Sequence, residues 1–200
     1  MHRLFTCSYE AILGIVSLYY FNEMTDKFDK NLIIVIALQS FSFTIRNTSP
    51  IGWVFILLLK AYQLGLFTML KNYILGFIFI FAPIFGLSVG LDSWFYGELA
   101  IVPYNFIKVN VLDGLSETFG SDPLLKYVNV EIPARFNIFF PCVLMGAFYH
   151  FRAQSSKGLT PYLLYYCINI LVFLSLISHK EPKFLLPIFP PFFLFIGQYL

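Results

Sequence analysis

Residues 179–183 place four ionisable side chains, His179, Lys180, Glu181 and Lys183, within five positions. Cations grouped this tightly can hold a phosphate and stabilise the charge that develops as it departs. The carboxylate among them could in principle take up a hydroxyl proton. The string lies between two long apolar runs, Tyr162 to Ile177 and Phe184 to Leu200. Its charges therefore belong at a membrane surface or in a polar cavity, where an unpaired ionisable group is costly. The plainer alternative is an interfacial loop whose lysines snorkel to headgroups.

Other residues could share this chemistry. Arg46 closes the second apolar run, in Phe43-Thr44-Ile45-Arg46-Asn47-Thr48-Ser49-Pro50, where its planar fork could grip phosphate oxygens or simply snorkel. Asp92 heads Asp92-Ser93-Trp94-Phe95-Tyr96-Gly97 and is a second potential proton acceptor. Asn105 and Asn110 stand in Pro103-Tyr104-Asn105-Phe106-Ile107-Lys108-Val109-Asn110. Glu10, near the start of the first apolar run, either faces a polar cavity or complements a helix dipole.

The elements that must position these groups are set by composition. Of 200 residues, 58% are hydrophobic and 12% charged, with 25 Phe and 13 Tyr, whereas a soluble domain is about half apolar and about a quarter charged. This is the profile of a polytopic membrane protein. A net charge of +2 is too small to imply nucleic acid. Three cysteines give neither a disulfide framework nor metal-ligand spacing, so no metal is expected.

A membrane-crossing helix needs about 20 apolar residues, and its backbone must be satisfied internally. On that basis an all-α bundle of about seven membrane helices is expected, at 7–22, 31–45, 50–70, 72–91, 135–151, 160–178 and 184–200. Lys60 and Gln63 within the third predict a tilted or broken helix that faces protein. Residues 92–130, rich in Trp, Tyr and Phe among polar groups, are expected to form a luminal or interfacial loop. Two crossings separate Asp92 from His179, so alternation puts them on one face together with Arg46. Met1 begins without a cleavable signal and Leu200 falls inside an apolar run. Both ends look cut, and residues 1–200 read as one partial transmembrane domain.

His179-Lys180-Glu181-Pro182-Lys183-Phe184 followed by Leu185-Leu186-Pro187 resembles the signature of the Alg9-like mannosyltransferases. Asp-Ser-aromatic-Phe-Tyr-Gly at 92–97, Pro-x-Asn-Phe-x-x-x-Asn at 103–110 and aromatic-Gly-Ser-x-Pro at 119–123 are similar to a second block of that family, in its usual order. Two departures stand out. Asn47 replaces a Pro of the family's Arg-Pro-Thr, and Asp122-Pro123-Leu124 stands where many members have His-Pro-Trp.

The resemblance implies a GT-C-type fold, a multi-pass endoplasmic reticulum location and mannose transfer from dolichyl phosphate mannose, with no cofactor. It implies a glycolipid acceptor, either the GPI-anchor precursor or the lipid-linked oligosaccharide. The 92–97 and 104–110 blocks look most similar to members that add the third GPI mannose, with fourth-mannose and dolichol-pathway members as alternatives. It further implies donor-phosphate binding by His179, Lys180, Glu181, Lys183 and Arg46, and a luminal motif at Asp92, Tyr96, Asn105 and Asn110. The family's catalytic acid belongs to a His-Pro-Asp-Glu-like segment that would lie upstream, so the catalytic residue is unknown here and these 200 residues alone are expected to be inactive. A transporter or a non-catalytic membrane partner is the reading from another class.

Overall fold

The computed structural model describes residues 6–109, 113, 120–153 and 159–199. The described residues are helical, with no strand among them. Helix α1 spans Thr6–Asn22 and α2 spans Lys30–Ile45. A 3-10 turn, Ser49–Trp53, leads into α3, Val54–Leu64. Then α4, Leu66–Gly76, runs through a π-helical turn at Phe77–Phe81 into α5, Ala82–Tyr96. The short α6 is Val102–Ile107. Beyond it, a π-turn at Tyr127–Glu131, α7 (Ile132–Phe136) and a 3-10 turn at Asn137–Phe139 lead into α8, Phe140–Ala153. Helix α9 is Leu159–Leu176; a 3-10 segment, Pro182–Ile188, precedes α10, Phe189–Tyr199.

The first two helices end where the apolar runs end. Asp29 caps α2: its Oδ1 accepts from the Leu32 N–H at 2.8 Å and its Oδ2 from the Thr25 N–H and hydroxyl at 3.0 and 2.9 Å. That carboxylate satisfies donors a helix start leaves orphaned and closes the polar turn between α1 and α2.

Four boundaries differ from expectation, one being the helix expected over 135–151, which already begins at Tyr127 inside the expected 92–130 loop. The helix expected over 50–70 breaks at Gly65, whose φ of 88° suits a residue without a Cβ. From there Leu66–Tyr96 is one helical run of 31 residues containing an 18-residue stretch of mean hydropathy 2.4, so the turn expected near Lys71 is absent. Asp92 accordingly lies inside α5 and not at the head of a loop. The helix stops at Gly97, left-handed at φ 74° with its N–H on Ser93 O at 3.0 Å, a glycine-terminated C-cap. The last apolar run begins as 3-10 structure, because Pro187, Pro190 and Pro191 lack the N–H groups that α-helical bonding needs.

Among the described residues, two helical runs are long and apolar enough to cross a membrane, Leu66–Tyr96 and Tyr127–Tyr149; four shorter apolar helices accompany them. The packing that aligns the bundle is specific. Gln39 Nε2 donates to Ser17 Oγ at 2.8 Å between α1 and α2. Asn169 of α9 donates to Gly52 O at 3.2 Å and accepts from Phe55 N at 3.3 Å. The Tyr166 ring is 1% exposed and fills the gap between Gly14 and Gly52, where a Cβ would come within 2.6 and 2.4 Å of it.

Lys60 does face protein. It is 5% exposed, with Nζ 3.4 Å from both Phe21 O and Tyr162 Oη and over both rings at 5.3 and 5.4 Å. Tyr162 donates in turn to Gln63 Oε1 at 2.8 Å.

Candidate functional site

At the end of the bundle where α1 starts and α2 and α9 finish, a cavity of about 590 Å³ opens. Its polar side carries Arg46, His179, Glu181 and Lys183; its apolar side carries Ile45, Ile51, Leu174, Ile177 and Phe184, with Phe106 reaching in from α6. The cavity is therefore shaped for a ligand with both a charged and a greasy part.

Arg46 is held by its position at the α2 C-terminus. Its N–H still bonds Ser42 O at 2.8 Å, but its backbone is extended, φ −146° and ψ 110°, so the side chain leaves the helix track. Nε donates to Thr48 Oγ1 at 2.7 Å, Nη1 reaches Cys7 Sγ, and the guanidinium lies 5.0 Å over the Phe184 ring. Glu10 Oε2 is 3.0 Å from Arg46 Nε, with the two side chains 7% and 12% exposed. That oxygen has no hydrogen-bond partner of good geometry, so charge holds the pair. Of the two alternatives for Glu10, the structure shows it joined to the cavity's arginine.

His179, Glu181 and Lys183 form a looser group. Glu181 Oε2 pairs with Lys183 Nζ, and Oε1 is 3.7 Å from His179 Nε2. Glu181 and Lys183 are 36% and 42% exposed, so water screens their attraction. An anion entering the cavity can take over Lys183 at small cost.

Lys180 goes elsewhere. It is 3% exposed, and its Nζ donates to Ile177 O at 2.7 Å and Asp122 O at 3.4 Å. It does not line the cavity. The 120–127 segment grips the loop around it. Asp122 N–H donates to Ser178 O at 2.9 Å, and Asp122 Oδ2 accepts from Lys180 N–H at 3.0 Å. Lys126 Nζ donates to Asp122 Oδ1 at 2.9 Å and to Lys180 O at 3.4 Å. Tyr127 Oη donates to Glu181 O at 3.2 Å. Lys126 and the Lys180 N–H hold the Asp122 carboxyl below the ordinary aspartate range, because both stabilise its charged form.

Of the other expected residues, Asp92 and Tyr96 sit in the last turns of α5 and Asn105 is exposed on α6; none lines the cavity. Asn110 lies outside the described residues. The structure brings Arg46, His179, Glu181 and Lys183 to one cavity, while Asp92, which counting crossings puts on the same face, does not line it. Asp122 is not among the expected site residues; its sequence signals are the i,i+4 spacing to Lys126 and its place where many family members have His.

The class these features define is a helical protein with membrane-length apolar helices and a cation-lined cavity at one end of the bundle. The profile of the Alg9-like mannosyltransferase family matches residues 1–200, and the chain belongs to that family. It is 30% identical to GPI alpha-1,2-mannosyltransferase 3 of Bos taurus, with 99% of this chain and 35% of the relative covered. It is 27% identical to mannosyltransferase APTG1 of Arabidopsis thaliana over 98% of this chain and 35% of the relative. GPI mannosyltransferase 3 of Yarrowia lipolytica is 30% identical over 94% and 35% respectively. The chain thus spans about a third of the length of these relatives. No solved structure matches it.

Proposed function

We propose that this chain is part of an endoplasmic reticulum enzyme that moves mannose from dolichyl phosphate mannose to a GPI-anchor precursor, adding the third mannose from the luminal side of the membrane. Family membership and the names of the relatives support the reaction class. The cavity that joins Arg46, His179 and Lys183 to an apolar wall is the observation that carries the rest, because a polyprenyl phosphate sugar has these two faces.

In the reaction an acceptor hydroxyl attacks the anomeric carbon, the bond from that carbon to the phosphate oxygen breaks, and the phosphate leaves with the electron pair. Arg46, fixed against Glu10, offers a planar fork to the phosphate oxygens. Lys183 and His179 add donors where negative charge grows. Glu181 holds these two between turnovers. The hydroxyl proton goes to a carboxylate that the family resemblance places in an upstream segment.

The test is complementation of cells that lack the third GPI mannose, using the full-length protein that carries this chain. Wild type is expected to restore GPI-anchored proteins to the cell surface, and His179→Ala, matched for protein level, is expected not to. Normal surface display with His179→Ala would remove the imidazole from the site.

A further inference from the structure

We propose that Asp122 and Lys180 form a reciprocal clasp that positions the 178–181 loop, and that Lys180 holds this loop and not the substrate phosphate. The proposal rests on the reading of the cavity as the donor-phosphate site, and it changes which residues of the charged string touch that phosphate.

The hydrogen bonds run in both directions. Asp122 gives its N–H to Ser178 O and takes the Lys180 N–H on Oδ2. Lys180 gives its ammonium to Asp122 O and Ile177 O. Lys126 and Tyr127 then occupy the carbonyls of Lys180 and Glu181. The carbonyls of residues 177, 178, 180 and 181 are thereby all engaged, and Glu181 O also accepts from the Phe184 N–H at 3.1 Å as the 3-10 segment begins.

The local backbone explains why this matters for the cavity. Glu181 is extended, φ −101° and ψ 137°, between bends at 177–179 and the 3-10 segment, and neighbouring side chains across an extended residue point apart. Lys180 is 3% exposed, while its neighbours His179 and Glu181 both line the cavity. Turning Lys180 inward therefore leaves Glu181 facing the cavity. For Lys180 to reach a phosphate instead, its ammonium would leave two carbonyls and the alternation would reverse.

Four variants test this in the full-length protein, with two readouts: mannose-transfer kinetics, and hydrogen exchange of the 177–185 peptide in the purified protein. Asp122→Ala is expected to lower kcat about a hundredfold, the effect of a misplaced catalytic group, with KM for the mannosyl donor nearly unchanged and faster exchange in the peptide. Asp122→Asn keeps an oxygen for the Lys180 N–H but loses the second oxygen that accepts from Lys126, and is expected to fall between wild type and Asp122→Ala. Lys180→Met is expected to lose activity, and Lys180→Arg not to restore it, because a planar guanidinium does not fit a two-carbonyl seat shaped for an ammonium.

Recovery of activity in Lys180→Arg together with an altered donor KM would show phosphate contact and overturn the proposal, as would unchanged exchange in Asp122→Ala. Should Asp122→Ala fail to accumulate, the Asp122→Asn and Lys180→Arg comparisons decide. A wild-type protein that transfers no mannose would end the proposed function, while the exchange measurements would still judge the clasp.

Discussion

Breaking the Glu10–Arg46 pair from either side is expected to cost far more than removing both partners together would suggest. The side chains are 7% and 12% exposed, so the attenuation that applies to surface pairs does not apply here. Glu10→Gln leaves a buried guanidinium among neutral neighbours, the new amide with Thr48, Cys7 and the Phe184 ring. Arg46→Met leaves the Glu10 carboxylate without a cation. Stranding one charge of a buried pair costs about 3 kcal/mol or more. The double variant strands neither charge and is expected to be no worse than either single one, which leaves a coupling of about 3 kcal/mol, at the upper end for residues in contact. Denaturant titration of wild type, both singles and the double in mixed micelles measures this. Additive losses, with coupling below about 0.5 kcal/mol, would refute the view that charge holds the pair.

Two further substitutions probe the scaffold. Gly65→Ala meets no atom within 4 Å of the new Cβ, yet φ there is 88°; a loss of about 1 to 2 kcal/mol is expected from backbone strain alone, and an unchanged melting temperature would count against a fixed break between α3 and α4. Lys60→Met leaves the Tyr162 to Gln63 hydrogen bond in place, so its stability is expected within about 1 kcal/mol of wild type. Lys60→Glu, which sets an acceptor against Phe21 O and the Tyr162 ring, is expected to lose more than about 2 kcal/mol in the same titration.

Much of this architecture is legible in the sequence because bilayer-length apolar runs leave few choices. The ends of α1, α2 and α9 fall where polar residues interrupt those runs. What counting cannot show is whether a helix persists through mixed residues. The helix keeps its bonding through Asp92 until Gly97 stops it, whereas the aromatic and polar mixture of 92–96 reads as loop. Nor does an apolar run reveal its own break, since Leu64-Gly65-Leu66 looks continuous until the φ of Gly65 is known. Lys180 was hidden for a different reason: its burial depends on a segment more than fifty residues earlier in the chain, and no local pattern encodes that return.

The cations at the cavity and in the charged string therefore divide by how firmly they are held, and the division fits the donor-phosphate site proposed for this cavity. Arg46 is fixed by a buried carboxylate, so it can present the same face to a phosphate at every turnover without reorganising. Lys183 and His179 share the half-exposed Glu181, an arrangement weak enough in water to be exchanged for an incoming anion and restored when that anion departs. A site built only of fixed cations would bind the leaving phosphate as tightly after transfer as during it, and uniform binding of this kind does not raise kcat. Lys180, withdrawn into the clasp, sets where the exchangeable pair stands. That accounts for a charged residue at the centre of the string whose head never enters the cavity.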